Sequence, residues 1–114
     1  MAVKTAPQAV VDDFLFLCIT DTEFLELARK YIPTRFLQAP SGKAVCEVCY
    51  NFYDRFSQAP NGHFVQELQE LTEEFADDRK AVILKYVERF SEYGNPVPEV
   101  VLAKVDQYYR EQVY

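Results

Sequence analysis

The chain has 114 residues, of which 49% are hydrophobic and 15% aromatic, with only three glycines. That length and composition give one domain, residues 1–114, around a single core, and exclude a disordered tail or a low-complexity linker. The formal charge is −6, and from Asn61 to Asp78 the acids Glu67, Glu70, Glu73, Glu74, Asp77 and Asp78 stand without a Lys or Arg, which disfavours direct nucleic-acid binding by repelling phosphate.

Apolar residues recur at helical spacing between the few Pro and Gly positions, which predicts an all-α fold, a compact bundle of about six helices. The first helix is predicted from about Pro7 to Cys18. Thr20 and Glu23 then offer a capping box for a second helix that ends near Tyr31 and is closed by Pro33. A third helix over about Gly42 to Phe56 carries Val45, Val48, Cys49, Phe52 and Phe56 on one stripe, with Ser41 as its expected N-cap. The turn "SQAPNG" at 57–62 separates it from a fourth amphipathic helix marked by Phe64, Val65, Leu68, Leu71 and Phe75. A fifth is predicted over about Asp78 to Tyr93. Its segment "KAVILKYVERF" is apolar over more than half the helical circumference, as for a helix buried between neighbours or between subunits. The last helix runs from Pro98, suited to a first-turn position, to near Val113. No repeat of equal units occurs, which argues against a solenoid.

Three cysteines, Cys18, Cys46 and Cys49, form an odd set without a secretory signal in "MAVKTAPQAVVDD", so reduced thiols are expected. No apolar run approaches the roughly 20 residues needed to span a bilayer. A cytoplasmic location is the expectation. The C-x-x-C of Cys46 and Cys49 lies inside a helix and lacks the second close ligand pair of a zinc knuckle. Cys18, Cys46, Cys49 and His63 could supply a Cys₃His set, but packing is the simpler reading. "APSGKAV" at 39–45 fails as a phosphate loop because Leu37 and Ala44 stand where Gly and Ser or Thr are required. His63 has no nucleophile or orienting group at a spacing that the sequence identifies, and the paired acids Glu73/Glu74 and Asp77/Asp78 read as a solvated face. No cofactor, metal or catalytic residue is assigned, and the chain is not expected to be an enzyme.

Aromatic excess points to partners instead. On the last helix Val101, Val105 and Tyr108 mark one stripe, while Leu102, Tyr109 and Val113 mark another. On the third helix Tyr50 and Tyr53 flank the main stripe beside Cys46, and a core wide enough for both stripes is the alternative explanation. The expected partner surface comprises Tyr86, Phe90, Tyr93, Leu102, Tyr108 and Tyr109, with self-association depending on it.

The segments "AVVDDFLFLCITDTEFLELARKYIPTRFL", "AVCEVCYNFYDRFSQAPNGHF" and "VPEVVLAKVDQYYREQ" together resemble the N-terminal domain of DnaB-type replicative helicases, in a divergent phage or bacterial version. The pattern is carried by Asp21 to Leu25, by Arg35-Phe36-Leu37, by Tyr53 with Phe56, and by the turn Pro60-Asn61-Gly62. The resemblance implies a non-catalytic assembly module that supports formation of the helicase ring and contacts primase or a helicase loader. It also implies that residues 95–114 form a hairpin or linker helix towards a following domain. The phosphate loop and motor domain of that family are absent from these 114 residues, so helicase activity is not assigned to them. The chain then reads as part of a longer protein or as a free-standing relative, the second being a small helical adaptor or regulator of phage type that binds a protein partner.

Overall fold

The computed structural model describes residues 7–88, 90 and 94–113, with side chains to Glu111. Among these residues the chain forms six α-helices, two 3-10 turns and no strand. The radius of gyration is 13.6 Å, close to the roughly 13 Å of a compact domain of about 100 residues.

Helix α1, Gln8–Thr20, is central. Phe14, Leu15, Leu17, Cys18 and Ile19 are all buried, on more than one side, because α1 packs against α2, α3 and α6. Helix α2, Thr22–Tyr31, begins one residue later than the expected capping box requires. Its N-cap is Asp21, whose carboxylate accepts the Phe24 N–H at 3.0 Å. Thr20 is still helical and its hydroxyl donates back to the Phe16 carbonyl at 2.9 Å, so it cannot turn to cap α2. Asp21, with extended backbone, can. After Pro33 a 3-10 turn, Thr34–Phe36, delivers Phe36 and Leu37 to the core.

Helix α3, Pro40–Phe56, also departs from expectation at its start: Ala39 is the N-cap, and Ser41 lies inside the first turn without a capping role. Pro40 begins the helix because its fixed φ suits the first turn and its missing N–H would be unpaired there anyway. Val45, Val48, Cys49 and Phe52 are buried as the stripe predicts, but so are Ala44, Cys46 and Tyr50, because α3 packs against α1, α2, α4 and α5. Phe56, by contrast, is 50% exposed at the helix end. Ser57 closes α3 in the left-handed region, at φ 57°.

A 3-10 turn, Asn61–His63, leads into α4, Phe64–Leu71, which stops short of Phe75. Buried Thr72 is its C-cap, with its hydroxyl donating to the Leu68 carbonyl at 2.9 Å, while Phe75 still packs against the core beyond the helix. Helix α5, Asp77–Glu88, is not buried all round, and the expected end at Tyr93 lies outside the described residues. Ile83 is its one fully buried residue, and Val82 is 61% exposed, because α5 packs on the outside of α3 and leaves a face to solvent. Helix α6, Pro98–Val113, has the expected bounds and returns to α1 and α2, burying Val101 and Val105. No helix among the described residues is long and apolar enough to cross a membrane.

Candidate protein-interaction surface

Two of the residues expected to meet partners are tied into the domain through their hydroxyls. Tyr86 on α5 donates to Asp12 Oδ1 on α1 at 3.1 Å, and Gln8 Nε2 donates both to the same carboxyl oxygen at 2.8 Å and to the Tyr86 hydroxyl at 3.1 Å. Tyr109 on α6 accepts from Arg35 Nη2 at 2.9 Å. Its ring meets the edge of Phe36 at 6.5 Å, extending a series in which Phe14 contacts Phe24 at 5.7 Å and Phe36 at 6.0 Å, all edge to face. Sequence spacing did not reveal this aromatic chain, since its members come from α2, α1, the 3-10 turn and α6. Phe90 is buried, with its ring edge to face on Tyr86. Leu102 and Tyr108 are half-buried against the core. Tyr93 lies outside the described residues.

The tyrosine flank of α3 is likewise covered. Tyr50 is buried and its hydroxyl faces the carbonyls of Ala28 and Ile32 at the end of α2, at 3.0 and 2.5 Å. Burial pushes the phenol upwards, and the nearby Cys46 thiol adds to the effect. All three cysteines are free and buried. Burial also raises Cys18 and Cys49 well above the ordinary thiol value, and pushes Cys46 up to about 12, a shift that its hydrogen bond with Tyr50 and the Arg29 charge partly oppose. The thiols therefore stay protonated near neutral pH, in the form that is a poor nucleophile and metal ligand. His63 is exposed and stacks on Phe52 at 6.1 Å. Among the described residues no three His, Cys, Asp or Glu side chains are grouped to hold a metal ion.

Several hollows open on the surface of the described residues. One, about 630 Å³, lies where α3 runs into α4, with Phe52, Phe56, Pro60, His63 and Glu67 among its walls. Arg55 spans its rim, its guanidinium 4.7 Å from the Phe56 ring and paired with Glu67 at 3.1 Å. A second, about 170 Å³, is lined by Gln8, Val11, Phe36 and Tyr86. A third, about 200 Å³, opens between the starts of α2 and α6, where Phe24, Leu27, Pro98 and Leu102 form an apolar floor under Asp21, Glu23 and Glu99. Leu102 is thus the expected partner residue that lines a hollow on α6, while Leu27, which the expected surface omitted, is 41% exposed beside it.

Comparison with protein-family models, with curated proteins and with solved structures gives no match.

Proposed function

We propose that this chain is a non-catalytic protein-interaction and oligomerisation domain of a replicative DNA helicase, serving ring assembly and contact with primase or a loader. The reading rests on the likeness in order and spacing to DnaB-type N-terminal domains. The observation that carries it is the structural place of the residues in that pattern. Phe24, Leu25, Phe36 and Leu37 belong to one buried core, Tyr53 packs against it, and Pro60 is buried at the turn that leads into α4. These positions organise the path of the chain from α2 to α4, as the elements of an assembly module of that kind would.

The natural gene, read past the codon for Tyr114, tests the parentage. A continuing frame that meets G-x-x-x-x-G-K-[ST] is the expected result, and a stop codon there removes the helicase reading and leaves a small adaptor. Assembly is tested separately by light scattering over a wide range of concentration. The expected result is a mass that rises above the 13.3 kDa of one chain and falls back when Val82→Glu or Val100→Glu places charge on the exposed faces of α5 and α6. A mass that stays at one chain throughout would remove oligomerisation from the proposal.

A further inference from the structure

We infer that the hollow between α2 and α6 is a docking groove for a basic amphipathic helix of a protein partner, one that inserts a single aliphatic side chain between flanking Lys or Arg residues. Three observations select this occupant. The floor is apolar, with Leu27 41% exposed between buried Phe24 and half-buried Leu102. The rim carries carboxylates from both helices, Asp21 and Glu23 on one side and Glu99 on the other, and among the described residues none that lines it is basic. The volume of about 200 Å³ falls below the roughly 300–1,000 Å³ of small-molecule pockets and suits a side chain instead.

A helical ligand satisfies both features at once. Residues three and four positions from an anchoring Leu lie on the same helical face, so Lys or Arg there are carried to either rim while the anchor enters the floor. A second copy of this chain is disfavoured because it would bring its own net charge of −6 against these acids. Anionic phosphates of nucleic acid or lipid meet the same repulsion. The inference does not depend on the helicase reading, since a chain that remained monomeric, or whose gene ended at Tyr114, would present the same groove.

The test is titration of the isotope-labelled chain with an amphipathic Leu/Lys peptide, in which each Leu is flanked by Lys at three and four residues, against a Leu/Glu peptide of the same pattern. The expected result is amide shifts confined to Asp21–Leu27 and Pro98–Leu102, binding that weakens as salt rises, and no binding of the Leu/Glu peptide. Leu27→Ser, at an exposed position that leaves the core intact, and the rim reversal Glu23→Lys with Glu99→Lys should each weaken binding by roughly tenfold or more. The inference is overturned by an absence of shifts, by shifts centred on the acids of Glu67–Asp78, or by equal affinity in both variants. A change in oligomeric mass on Leu27→Ser would also overturn it, by making a second copy the occupant.

Discussion

The hydroxyl of Tyr86 donates to the carboxyl of Asp12 at 3.1 Å, joining α5 to α1 across 74 positions of sequence. Asp12 is only 5% exposed, so water does not readily replace a lost partner. Tyr86→Phe keeps the ring against Phe90 and removes only the hydroxyl, which should cost about 1–2 kcal/mol of stability. Urea unfolding should show a lower midpoint with an unchanged slope. An unchanged midpoint would mean that the bond contributes nothing and that α5 is held by its apolar contacts alone.

Tyr50 reaches from α3 to the C-terminal end of α2. The Ala28 carbonyl already accepts the Ile32 N–H at 2.8 Å, and the hydroxyl lies against that carbonyl and against the carbonyl of Ile32, the residue that closes the helix. Tyr50→Phe should lower stability by about 1–3 kcal/mol, since it removes a buried donor from the Ile32 carbonyl. Hydrogen exchange should show the loss as faster exchange of the amides near Ala28 and Ile32. Wild-type protection there would contradict this role.

Asp21 and Thr20 make a controlled pair. The carboxylate of Asp21 caps α2, whereas the Thr20 hydroxyl returns to its own helix. Asp21→Ala should therefore cost about 0.5–2 kcal/mol. Thr20→Ala should stay within about 0.5 kcal/mol of the parent. Thermal unfolding of the two variants side by side decides the matter, and a larger loss for Thr20→Ala would restore the capping box to Thr20.

The buried thiols predict a pH dependence with a definite sign. Cys46 rises from 9.0 to about 12 in the folded chain, so the unfolded state releases its proton first as pH climbs. With fewer protons bound in the unfolded state, stability falls with rising pH. It is fully present below about pH 9 and is lost progressively between about 9 and 12. Cys46→Ala should flatten this decline, measured as unfolding free energy against pH, and an equally steep decline in the variant would show that other groups cause it. A thiol reagent at pH 8 should label the native chain only at its rate of opening, then all three cysteines on unfolding. Rapid labelling of the native state would show that the thiols are accessible.

Much of this architecture is legible without coordinates, because helix formation is a local matter of residues three and four apart. The all-α class, the bounds of α6 and the inner stripe of α3 follow from that periodicity, from the Pro and Gly punctuation, and from nothing further along the chain. The cysteines, too, are read as packing from their place inside a helix. The misplaced caps of α2 and α3 are small errors of the same local kind, in which the cap falls on Asp21 rather than Thr20 and on Ala39 rather than Ser41.

Which side of a helix is covered is a different question, and periodicity does not answer it. Both stripes of α3 are apolar in sequence, and it takes α2, at Ala28 and Ile32, to receive the hydroxyl of Tyr50. Tyr86 and Tyr109 read as surplus on their own helices, yet they find Asp12 and Arg35, each 74 positions away. Leu27 is unremarkable, and Leu102 only one member of a stripe, until α6 folds back beside α2 and places three carboxylates around them. The helices and their apolar faces are written locally in the chain, since backbone hydrogen bonding and side-chain period act over a few residues. Which of those faces remain open is settled only on folding, because burial depends on partners that the chain brings together from far apart.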